Sequence, residues 1–510
     1  MICIPIVAST EEDALLSLKR AEEMSDLVEL RLDLLPRKAW LLLLKEKRKP
    51  CIVTLRSERQ GGCFKGEETE RIQLLEESLV FQPTFIDTEW DTPPPLIERL
   101  KKRKGEETSL ILSYHDFHGT PGDLEGIWKK VESCGGDLVK IATYANGLED
   151  NVRILKLAQN HAGKIIAFCM GPIGLATRIL TLRFGGLITY GCLEEGKASA
   201  PGQISAQDLI EMYRVKKIGE NTQIFGLVGD PLSHSLSPII HNVGFQSLGL
   251  DAVYIPFETP DLRSLLPVFQ FLGVQGFSVT LPHKERILPL LDEMDEKARA
   301  IGAVNTVWRR GERWIGQNTD ADGAWKALEG AGVDLKDRPW AVLGAGGAAK
   351  AVAYSAATYG RPRSITFLGQ SPKRLEEIVR EMGQHFSFPL YTDRLAEDDL
   401  KRWVDHDDII VNCTPIGMFP KPDEIPISPE FLSSSHLVFD TVYNPLETRL
   451  LKEGRSRGCK TVSGLEMFLF QGAAQFEIWT GQNAPLNLMR RKALERLGYE
   501  EESGKADLSP

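Results

Sequence analysis

The sequence lacks a long basic run, a closely spaced cysteine pair and a long apolar stretch. Its densest basic clusters, at 45–49 and 101–104, are short, and the net charge is -10 at pH 7. That charge disfavours a nucleic-acid-binding protein, which needs a basic face. No run approaches the ~20 apolar residues of a membrane helix, and the start MICIPIVAST does not have the pattern of a secretion signal. We therefore expect a soluble, cytoplasmic protein without nucleic-acid or membrane partners.

The cysteines show no CxxC or zinc-like spacing, and several lie inside apolar, strand-like runs. This pattern is typical of reduced thiols in the cytosol, so we expect neither disulfides nor a structural metal. The eight cysteines are Cys3, Cys51, Cys63, Cys134, Cys169, Cys192, Cys413 and Cys459.

The chain is long enough for several domains, since 510 residues exceed what one hydrophobic core usually supports. From the start to about residue 192, apolar β-rich runs alternate with amphipathic segments, which predicts a parallel sheet. Eight such units predict a closed (β/α)₈ barrel, with an open doubly wound sheet as the alternative. The eight runs are 2–8, 27–33, 51–56, 85–90, 110–116, 138–144, 165–170 and 187–191.

Polar residues interrupt these apolar runs, mostly near the carboxyl ends of the predicted strands. A charged residue inside an apolar strand is costly unless it has a partner, so several of them indicate one shared polar cavity. In a barrel of this type, that cavity is where active sites are built. The residues are Glu29, Arg31, Arg56, Asp87, Glu89, His115 and Lys140.

The run LILSYHDFHGTP contains two histidines, His115 and His118, with Asp116 between them. Such a group could bind a metal, transfer protons or simply mark a strand end. A metal site needs further ligands, whereas the polar neighbours here are arginines and a lysine, which repel a cation. We predict that His115 acts in proton transfer and that His118 is structural or solvent-facing.

After a short polar connector, a second pattern begins at QIFGLVGDP. We predict one domain over 222–336 and another over 337–495, following a first domain over 1–215. In the last domain a strand, WAVL, leads into a glycine-rich turn and an alanine-rich helix. Backbone N–H groups at such a helix start bind the pyrophosphate of a dinucleotide. The turn consists of Gly344, Ala345, Gly346, Gly347 and Ala348.

The strand that follows, SITFL, ends without the acidic residue that holds the ribose in NAD-binding folds. It leads instead to Ser371, Lys373 and Arg374. A hydroxyl and two cations suit a 2′-phosphate, so the residues favour NADP over NAD, unless both cations simply face water. Upstream, Lys284 follows a strand, and Asn318 and Asp320 lie in a predicted turn. A lysine beside a carboxylate can move the proton that accompanies hydride transfer, which suggests a dehydrogenase.

Residues 222 to about 495 resemble shikimate dehydrogenases through ordered motifs that include GDPLSHSLSPIIHN, GFSVTLPHKE, GQNTDADG, VLGAGGAAKA and DTVYNPLETRLL. The resemblance implies that Lys284 and Asp320 are the catalytic pair and that the cofactor is NADP. The implied substrate contacts are Ser235, Ser237, Thr280, Asn305, Tyr443 and Gln471. Thr414 and Met467 are implied to contact the cofactor. The family often has Asn-Arg-Thr where this chain has Gly369, Gln370 and Ser371, which leaves Lys373 and Arg374 as the phosphate partners.

Residues 1 to about 215 resemble type I 3-dehydroquinate dehydratases through VELRLD, VTLRSERQGG, SYHDFHGTP, LVKIATY and KASAPGQIS. The resemblance implies a (β/α)₈ barrel in which Lys140 forms a Schiff base and His115 is the general acid/base. The positions that match the family's substrate site are Glu29, Arg31, Arg56, Arg178, Ser199 and Gln203. Related sequences often have a glutamate at Gln60, so we do not assign this residue as an acid.

The order of the two halves is similar to that of bifunctional enzymes that dehydrate 3-dehydroquinate and then reduce 3-dehydroshikimate to shikimate. Two other functions remain open. The barrel lysine alone would also fit a Schiff-base aldolase, although KASAPGQ and His115 favour the dehydratase. A non-catalytic regulator is disfavoured because Lys140, His115, Lys284 and Asp320 are all present. The sequence does not predict the oligomeric state.

Overall fold

The computed structural model describes residues 1–194, 196–396, 403 and 408–499. The chain divides into two compact units, one of Met1–Ile224 with Asp251–Val274 and one of Phe225–Leu250 with Gln275–Pro510. The finer division into three domains, with boundaries near 215–222 and 336–337, stays a prediction.

The first unit contains eight parallel strands. They are β1 (Ile2–Ile6), β2 (Leu27–Arg31), β3 (Cys51–Thr54), β4 (Phe85–Glu89), β5 (Ser109–Asp116), β6 (Leu138–Tyr144), β7 (Ile165–Met170) and β8 (Thr189–Tyr190). The intervening helices are α1 (Glu11–Met24), α2 (Arg37–Glu46), α3 (Glu68–Ser78), α4 (Pro94–Arg103), α5 (Leu124–Glu132), α6 (Leu148–Asn160) and α7 (Leu175–Leu180). Strand β10 (Ala252–Glu258) and helix α9 (Leu265–Leu272) also belong to this unit.

The strand order confirms the predicted barrel. Strands β1 to β7 are neighbours in sequence order, and β8 returns to pair with β1. An open doubly wound sheet would instead reverse its order part-way, so that alternative is wrong. Within the described residues β7 and β8 do not pair, and the barrel is therefore nearly closed.

Alternate residues of each strand point into the barrel, as the period of two requires. The layer of inward-pointing side chains nearer the amino ends of the strands is apolar and includes Leu27, Ile52 and Ile111. Two residues further along the same strands come Glu29, Thr54 and Ser113, all of them buried. The interior therefore changes from apolar to polar towards the carboxyl ends of the strands, which is the end where enzymes with this fold bind substrates.

The second unit contains two sheets. One has the neighbouring strands β9, β11, β13, β14 and β12, with β13 and β14 forming an antiparallel hairpin. Their bounds are β9 (Gln223–Gly229), β11 (Val274–Val279), β12 (Glu293–Met294), β13 (Thr306–Arg310) and β14 (Arg313–Gln317). The accompanying helices are α8 (Ser237–Ser247), α10 (Glu296–Ile301) and α11 (Asp320–Glu329). Asp320 thus begins a helix, whereas the sequence predicts that it lies in a turn.

The other sheet is parallel and has the order β17-β16-β15-β18-β19-β20. In sequence order this is 3-2-1-4-5-6, the arrangement of dinucleotide-binding folds, which confirms the predicted Rossmann-like domain. The strands are β15 (Pro339–Leu343), β16 (Ser364–Gly369), β17 (Leu390–Arg394), β18 (Ile409–Asn412), β19 (Leu437–Asp440) and β20 (Lys460–Ser463). The remaining helices are α12 (Gly347–Ser355), α13 (Pro372–Met382), α14 (Arg449–Ser456), α15 (Gly464–Thr480) and α16 (Leu486–Arg496).

Two structural features of residues 1–194, 196–396, 403 and 408–499 bear on membrane and metal binding. None of the helices in these ranges is long and apolar enough to cross a membrane. In the same ranges, no group of three or more histidine, cysteine, aspartate and glutamate side chains is arranged to hold a metal ion.

Candidate active sites

A cavity lies within the barrel. The eight residues that match the dehydratase family's site all line it, namely Glu29, Arg31, Arg56, His115, Lys140, Arg178, Ser199 and Gln203. Asp87 and Glu89, which the sequence also places in the polar cavity, are buried but are not among the lining residues. Eight further residues line it as well, namely Gln60, Gly61, Phe117, Ala142, Phe168, Met170, Tyr190 and Ala200. The structure therefore brings the predicted residues together around one space.

Lys140 lies in the middle of β6, between Ser113 of β5 and Ile166 of β7 in the strand register. Its side chain is nearly fully buried, with Nζ 3.5 Å from Asp87 Oδ2 and 3.8 Å from Glu29 Oε1. Lys140 is thus a buried amine on the cavity wall with two carboxylates as ionic partners.

Asp87 contacts Arg56, Ser113 and Lys140 inside the barrel, but it is not one of the residues that line the cavity. Its Oδ1 accepts hydrogen bonds from Arg56 Nη2 at 2.6 Å and from Ser113 Oγ at 2.8 Å. Burial alone would raise the pKa of Asp87, but Arg56 and Lys140 hold it below its usual range. Asp87 therefore remains a carboxylate that fixes Arg56 and faces Lys140.

His115 lies near the end of β5, where its backbone N–H donates to Gln60 Oε1 at 3.1 Å. Its ring stacks on Phe117 with 6.1 Å between the ring centres. Within the described residues, its buried Nδ1 has no hydrogen-bond partner. Burial lowers the pKa of His115 well below 6.5, and the cations Arg56, Lys140 and Arg31 lower it further. The imidazole is thus neutral at neutral pH and can accept a proton.

Arg178, on α7, is fully buried. Nη2 donates to the carbonyl of Pro201 at 3.2 Å, while Nε and Nη1 find no partner within the described ranges. Burial lowers the pKa of Arg178 to about 10, a value at which the group still carries its charge at neutral pH. A buried cation with two unused hydrogen-bond donors is a suitable binding site for an anionic group of a ligand.

The other predicted residues of this cavity are held by local hydrogen bonds. Arg31 is bound by both oxygens of Asp33, at 3.0 and 2.8 Å. Ser199 donates to Gln203 Oε1 from its backbone N–H at 2.8 Å. Asp33 was not predicted as a site residue. The sequence indicates its role only in that an acidic residue lies two positions after Arg31.

A second polar cluster lies in the second unit. Lys284 Nζ donates to Asp320 Oδ2 at 2.5 Å. Asn305 Nδ2 donates to Asp320 Oδ1 at 2.9 Å and to Gln471 Oε1 at 3.2 Å. Asp320, Asn305 and Gln471 are buried, and Lys284 is about one-fifth exposed. The structure thus joins four of the predicted residues into one hydrogen-bonded group with an accessible amine.

The four other predicted substrate contacts lie on loops and at the start of a helix. Ser237 begins α8, and its N–H donates to Ser235 Oγ at 3.3 Å. Burial raises the pKa of Tyr443, against the effect of its hydrogen bonds with Ser235 and with the backbone of Leu236. Thr280 follows β11, and its methyl group would be only 2.4 Å from a Cβ added at Gly229.

The glycine-rich turn connects β15 to α12, and its geometry depends on glycine. Gly344 has a φ of +114°, which L side chains rarely adopt. A Cβ at Gly346 would meet nothing within 4 Å, so this backbone is open to a close approach by a phosphate. A Cβ at Gly347 would lie 3.5 Å from Lys284 Cβ, which places the turn directly beside the predicted catalytic lysine. Ala345 and Ala348 complete this segment.

The other residues predicted to contact the cofactor differ in how exposed they are. Ser371 caps α13 by accepting a hydrogen bond from Arg374 N at 3.4 Å, and Lys373 and Arg374 are exposed. Thr414 is anchored by a 2.7 Å hydrogen bond to Asn412. Met467 is only 6% exposed and packs into the apolar core of the sheet, so little of its surface is available to a ligand.

Comparison with known proteins agrees with this two-part geometry. The family model of type I 3-dehydroquinase matches residues 2–220, that of the shikimate dehydrogenase substrate-binding domain matches 227–307, and that of the shikimate 5′-dehydrogenase C-terminal domain matches 464–494. The chain is also 35% identical to the chloroplastic bifunctional 3-dehydroquinate dehydratase/shikimate dehydrogenase of Arabidopsis thaliana, over 96% of this chain and 83% of that protein. The chain belongs to the family of bifunctional 3-dehydroquinate dehydratase/shikimate dehydrogenases.

Two further relatives correspond to the second half of this bifunctional enzyme. The NADP(+) shikimate dehydrogenase of Moorella thermoacetica is 40% identical, over 55% of this chain and 96% of that protein. A crystal structure of a shikimate dehydrogenase in complex with NADP+ has a TM-score of 0.52 and 38% identity, and covers 55% of this chain and 97% of the other. The family assignment confirms the expectation of a lyase joined to an oxidoreductase. The match to the dehydroquinase family also favours the dehydratase over an aldolase.

Proposed function

We propose that the barrel converts 3-dehydroquinate to 3-dehydroshikimate through a Schiff base on Lys140, and that the second unit reduces 3-dehydroshikimate to shikimate with NADPH. The observation that supports the first activity best is the position of Lys140. It is a buried amine that lines a cavity together with a neutral imidazole and a buried arginine with two free donors.

In the dehydratase reaction the amine of Lys140 attacks the C3 ketone of 3-dehydroquinate. The amine must first give up a proton, and Glu29, whose Oε1 is 3.8 Å from Nζ, is positioned to accept it. Loss of water then gives an imine. Because the imine withdraws electrons from the ring, the protons on C2 become more acidic.

His115 then removes a proton from C2 and returns one to the hydroxyl that leaves C1. The low pKa of its imidazole keeps it unprotonated and ready to act as a base at neutral pH. Arg178 binds the substrate carboxylate through Nε and Nη1. Glu29, Arg31 and Arg56 orient the ring hydroxyls, and Ser199 and Gln203 complete the substrate site.

In the dehydrogenase, 3-dehydroshikimate is bound by six side chains, namely those of Ser235, Ser237, Thr280, Asn305, Tyr443 and Gln471. Lys284 donates a proton to the C3 carbonyl oxygen, and Asp320 keeps the ammonium in place through their 2.5 Å hydrogen bond. Asn305 fixes the other oxygen of Asp320. This arrangement delivers a proton to the same bond that accepts a hydride.

The residues after β15 fit a dinucleotide. The open backbone at Gly346 and the start of α12 at Gly347 provide N–H groups for a pyrophosphate. Bound there, NADPH supplies the hydride. Ser371, Lys373 and Arg374 would hold its 2′-phosphate, since no acidic residue occurs before Glu376 in this segment. Thr414 is a further proposed contact of the cofactor, and Met467 would touch it only through the 6% of its surface that is exposed.

One coupled assay tests both halves. Purified enzyme is given 3-dehydroquinate with NADPH or NADH, and nicotinamide absorbance is followed. We expect rapid oxidation of NADPH and slower oxidation of NADH. Lys140→Ala should abolish the reaction from 3-dehydroquinate but retain the reaction from 3-dehydroshikimate. An active Lys140→Ala enzyme with 3-dehydroquinate would exclude the Schiff base, and equal rates with both cofactors would exclude the NADP preference.

A further inference from the structure

Tyr190 is a polar residue of the dehydratase cavity to which neither the motifs nor the proposed mechanism gives a role. It ends β8, where it is paired with Cys3 of β1. Its side chain lines the cavity and is 3% exposed. In the part of the chain that the structure describes, its buried Oη has no hydrogen-bond partner.

An unpartnered hydroxyl at this depth is unfavourable for folding alone. A buried polar group without a hydrogen bond loses its interactions with water and receives none in return. Phenylalanine would fill the same volume without that cost. The hydroxyl is therefore best explained by a partner that is present only when the cavity is filled.

The surroundings of Tyr190 indicate which part of a ligand it meets. Lys140 Nζ lies over its ring, 4.5 Å from the ring centre, and Phe168 packs against the ring at 5.6 Å. Arg178, which we assign to the substrate carboxylate, lies over the same Phe168 ring, with Cζ 4.6 Å from its centre. Tyr190 is thus next to the reacting amine.

The phenol acts as a hydrogen-bond donor under ordinary conditions. Burial raises the pKa of Tyr190 well above its usual value of 10, and the nearby Glu29, Cys3 and Asp87 raise it further. The O–H therefore stays protonated at neutral pH. It needs an acceptor oxygen close to Lys140, and in a Schiff-base reaction that atom is the oxygen on the carbon under attack.

We propose that Tyr190 donates a hydrogen bond to the C3 oxygen of the substrate while Lys140 adds to C3, and holds this oxygen until it leaves as water. The inference rests on the proposed dehydratase function and adds a substrate-contacting residue to it. It assigns Tyr190 to imine formation, whereas His115 acts in the later removal of the C2 proton.

The step balances without a further reactant. The lone pair of Lys140 forms the N–C3 bond while the carbonyl π pair moves to oxygen. The C3–O bond then breaks, its electron pair leaves on water, and the nitrogen lone pair forms the C=N bond. Counted from the ammonium form of Lys140, two protons end on water and one remains on the iminium nitrogen. Tyr190 donates a hydrogen bond throughout and neither gains nor loses a proton overall.

Tyr190→Phe tests this role because it removes only the hydroxyl. Wild-type enzyme and variant are mixed with 3-dehydroquinate and treated with borohydride at successive times, and the reduced adduct on Lys140 is measured by mass spectrometry. We expect the adduct to form about tenfold more slowly in the variant, the effect of one lost hydrogen bond to a group that develops charge. Thermal stability should stay equal or rise.

Two comparisons separate the possible failures. Tyr144→Phe, a change of the same kind outside the residues that line the cavity, should form the adduct at the wild-type rate. If wild-type enzyme forms no adduct, the proposed dehydratase mechanism is wrong. If wild-type enzyme and Tyr190→Phe form the adduct equally fast, that mechanism stands and the role of Tyr190 is wrong.

Discussion

Lys284 Nζ and Asp320 Oδ2 are 2.5 Å apart, and Asn305 holds the second oxygen of the same carboxylate. If Lys284 protonates the substrate, Lys284→Ala should reduce kcat of the dehydrogenase by a factor of about 10² to 10⁴, the usual contribution of a positioned acid. KM for 3-dehydroshikimate should change little. Steady-state kinetics with 3-dehydroshikimate and NADPH measure both quantities.

A matched control uses another lysine–aspartate pair of the same unit. Lys297 pairs with Asp322 at a partly exposed site, and Lys297→Ala should leave both kinetic constants close to those of the wild-type enzyme. If Lys284→Ala raises KM and leaves kcat unchanged, Lys284 binds the substrate and does not protonate it.

The pH dependence of the dehydratase should reflect the neutral imidazole of His115. Its pKa is lowered from 6.5 by burial and by Arg56, Lys140 and Arg31. The base is therefore active above this lowered pKa and is lost only as the pH falls through it. We expect the acid limb of kcat/KM for 3-dehydroquinate to lie below pH 6.5, as measured in the free enzyme over a range of pH.

The same pKa has a consequence for stability. Because the unfolded chain takes up a proton at His115 more readily than the folded one, this residue favours unfolding as the pH falls below 6.5.

The control for the pH profile of kcat/KM is the partly buried His161, which pairs with Glu125 at 2.8 Å. His161→Gln should keep the kinetic profile of the wild-type enzyme. An acid limb at or above pH 6.5 would contradict the assignment of His115.

The barrel and its polar layer could be predicted because they depend on local patterns. Alternation of apolar runs with amphipathic segments indicates βα units, and the period of two within a strand places Glu29 and Arg31 on the same side. The predicted runs 138–144 and 165–170 coincide with β6 and β7. The cofactor turn was predictable for a similar reason, since it depends on a short segment between a strand and a helix.

Partners from different strands could not be predicted in the same way. Arg56 is bound by Asp87 and Ser113, and this pairing depends on the register of three strands, which no single segment specifies. Tyr190 lies in an apolar run where tyrosine usually packs in a core. Only the absence of a partner for Oη among the described residues distinguishes it. Asp320 was expected in a turn, but it begins α11, with Asp322 also in the first turn of that helix.

Arg71 should be important for the stability of the barrel without entering the cavity. Its side chain is fully buried, forms an ion pair with Glu89, and donates to the carbonyl of Leu55 at 3.1 Å. Removing one partner of a buried pair costs about 3–5 kcal/mol, and because Arg56 Nη1 remains 3.4 Å from Glu89, we expect a cost near the lower end of that range. We expect Arg71→Ala to lower the temperature at which dehydratase activity is lost on heating by about 10 °C.

Arg37→Ala is the comparison for Arg71→Ala. Arg37 and Glu77 are 4.0 Å apart and both side chains are more than half exposed, so this pair should contribute at most about 1 kcal/mol. Equal inactivation temperatures for the two variants would show that the buried pair with Glu89 does not determine the stability of the barrel.

Cofactor choice should depend on the start of α13, where Arg374 is exposed beside Ser371. If Arg374 binds the 2′-phosphate, Arg374→Ala should reduce kcat/KM with NADPH by a factor of about 10 to 100, corresponding to one lost hydrogen bond to a charged group. The value with NADH should stay the same, because NADH has no 2′-phosphate. Arg380→Ala, on the same helix and 70% exposed, should change neither value. Equal losses with both cofactors would show that Arg374 supports the fold of this segment, and no loss with either would leave Lys373 as the phosphate partner to replace next.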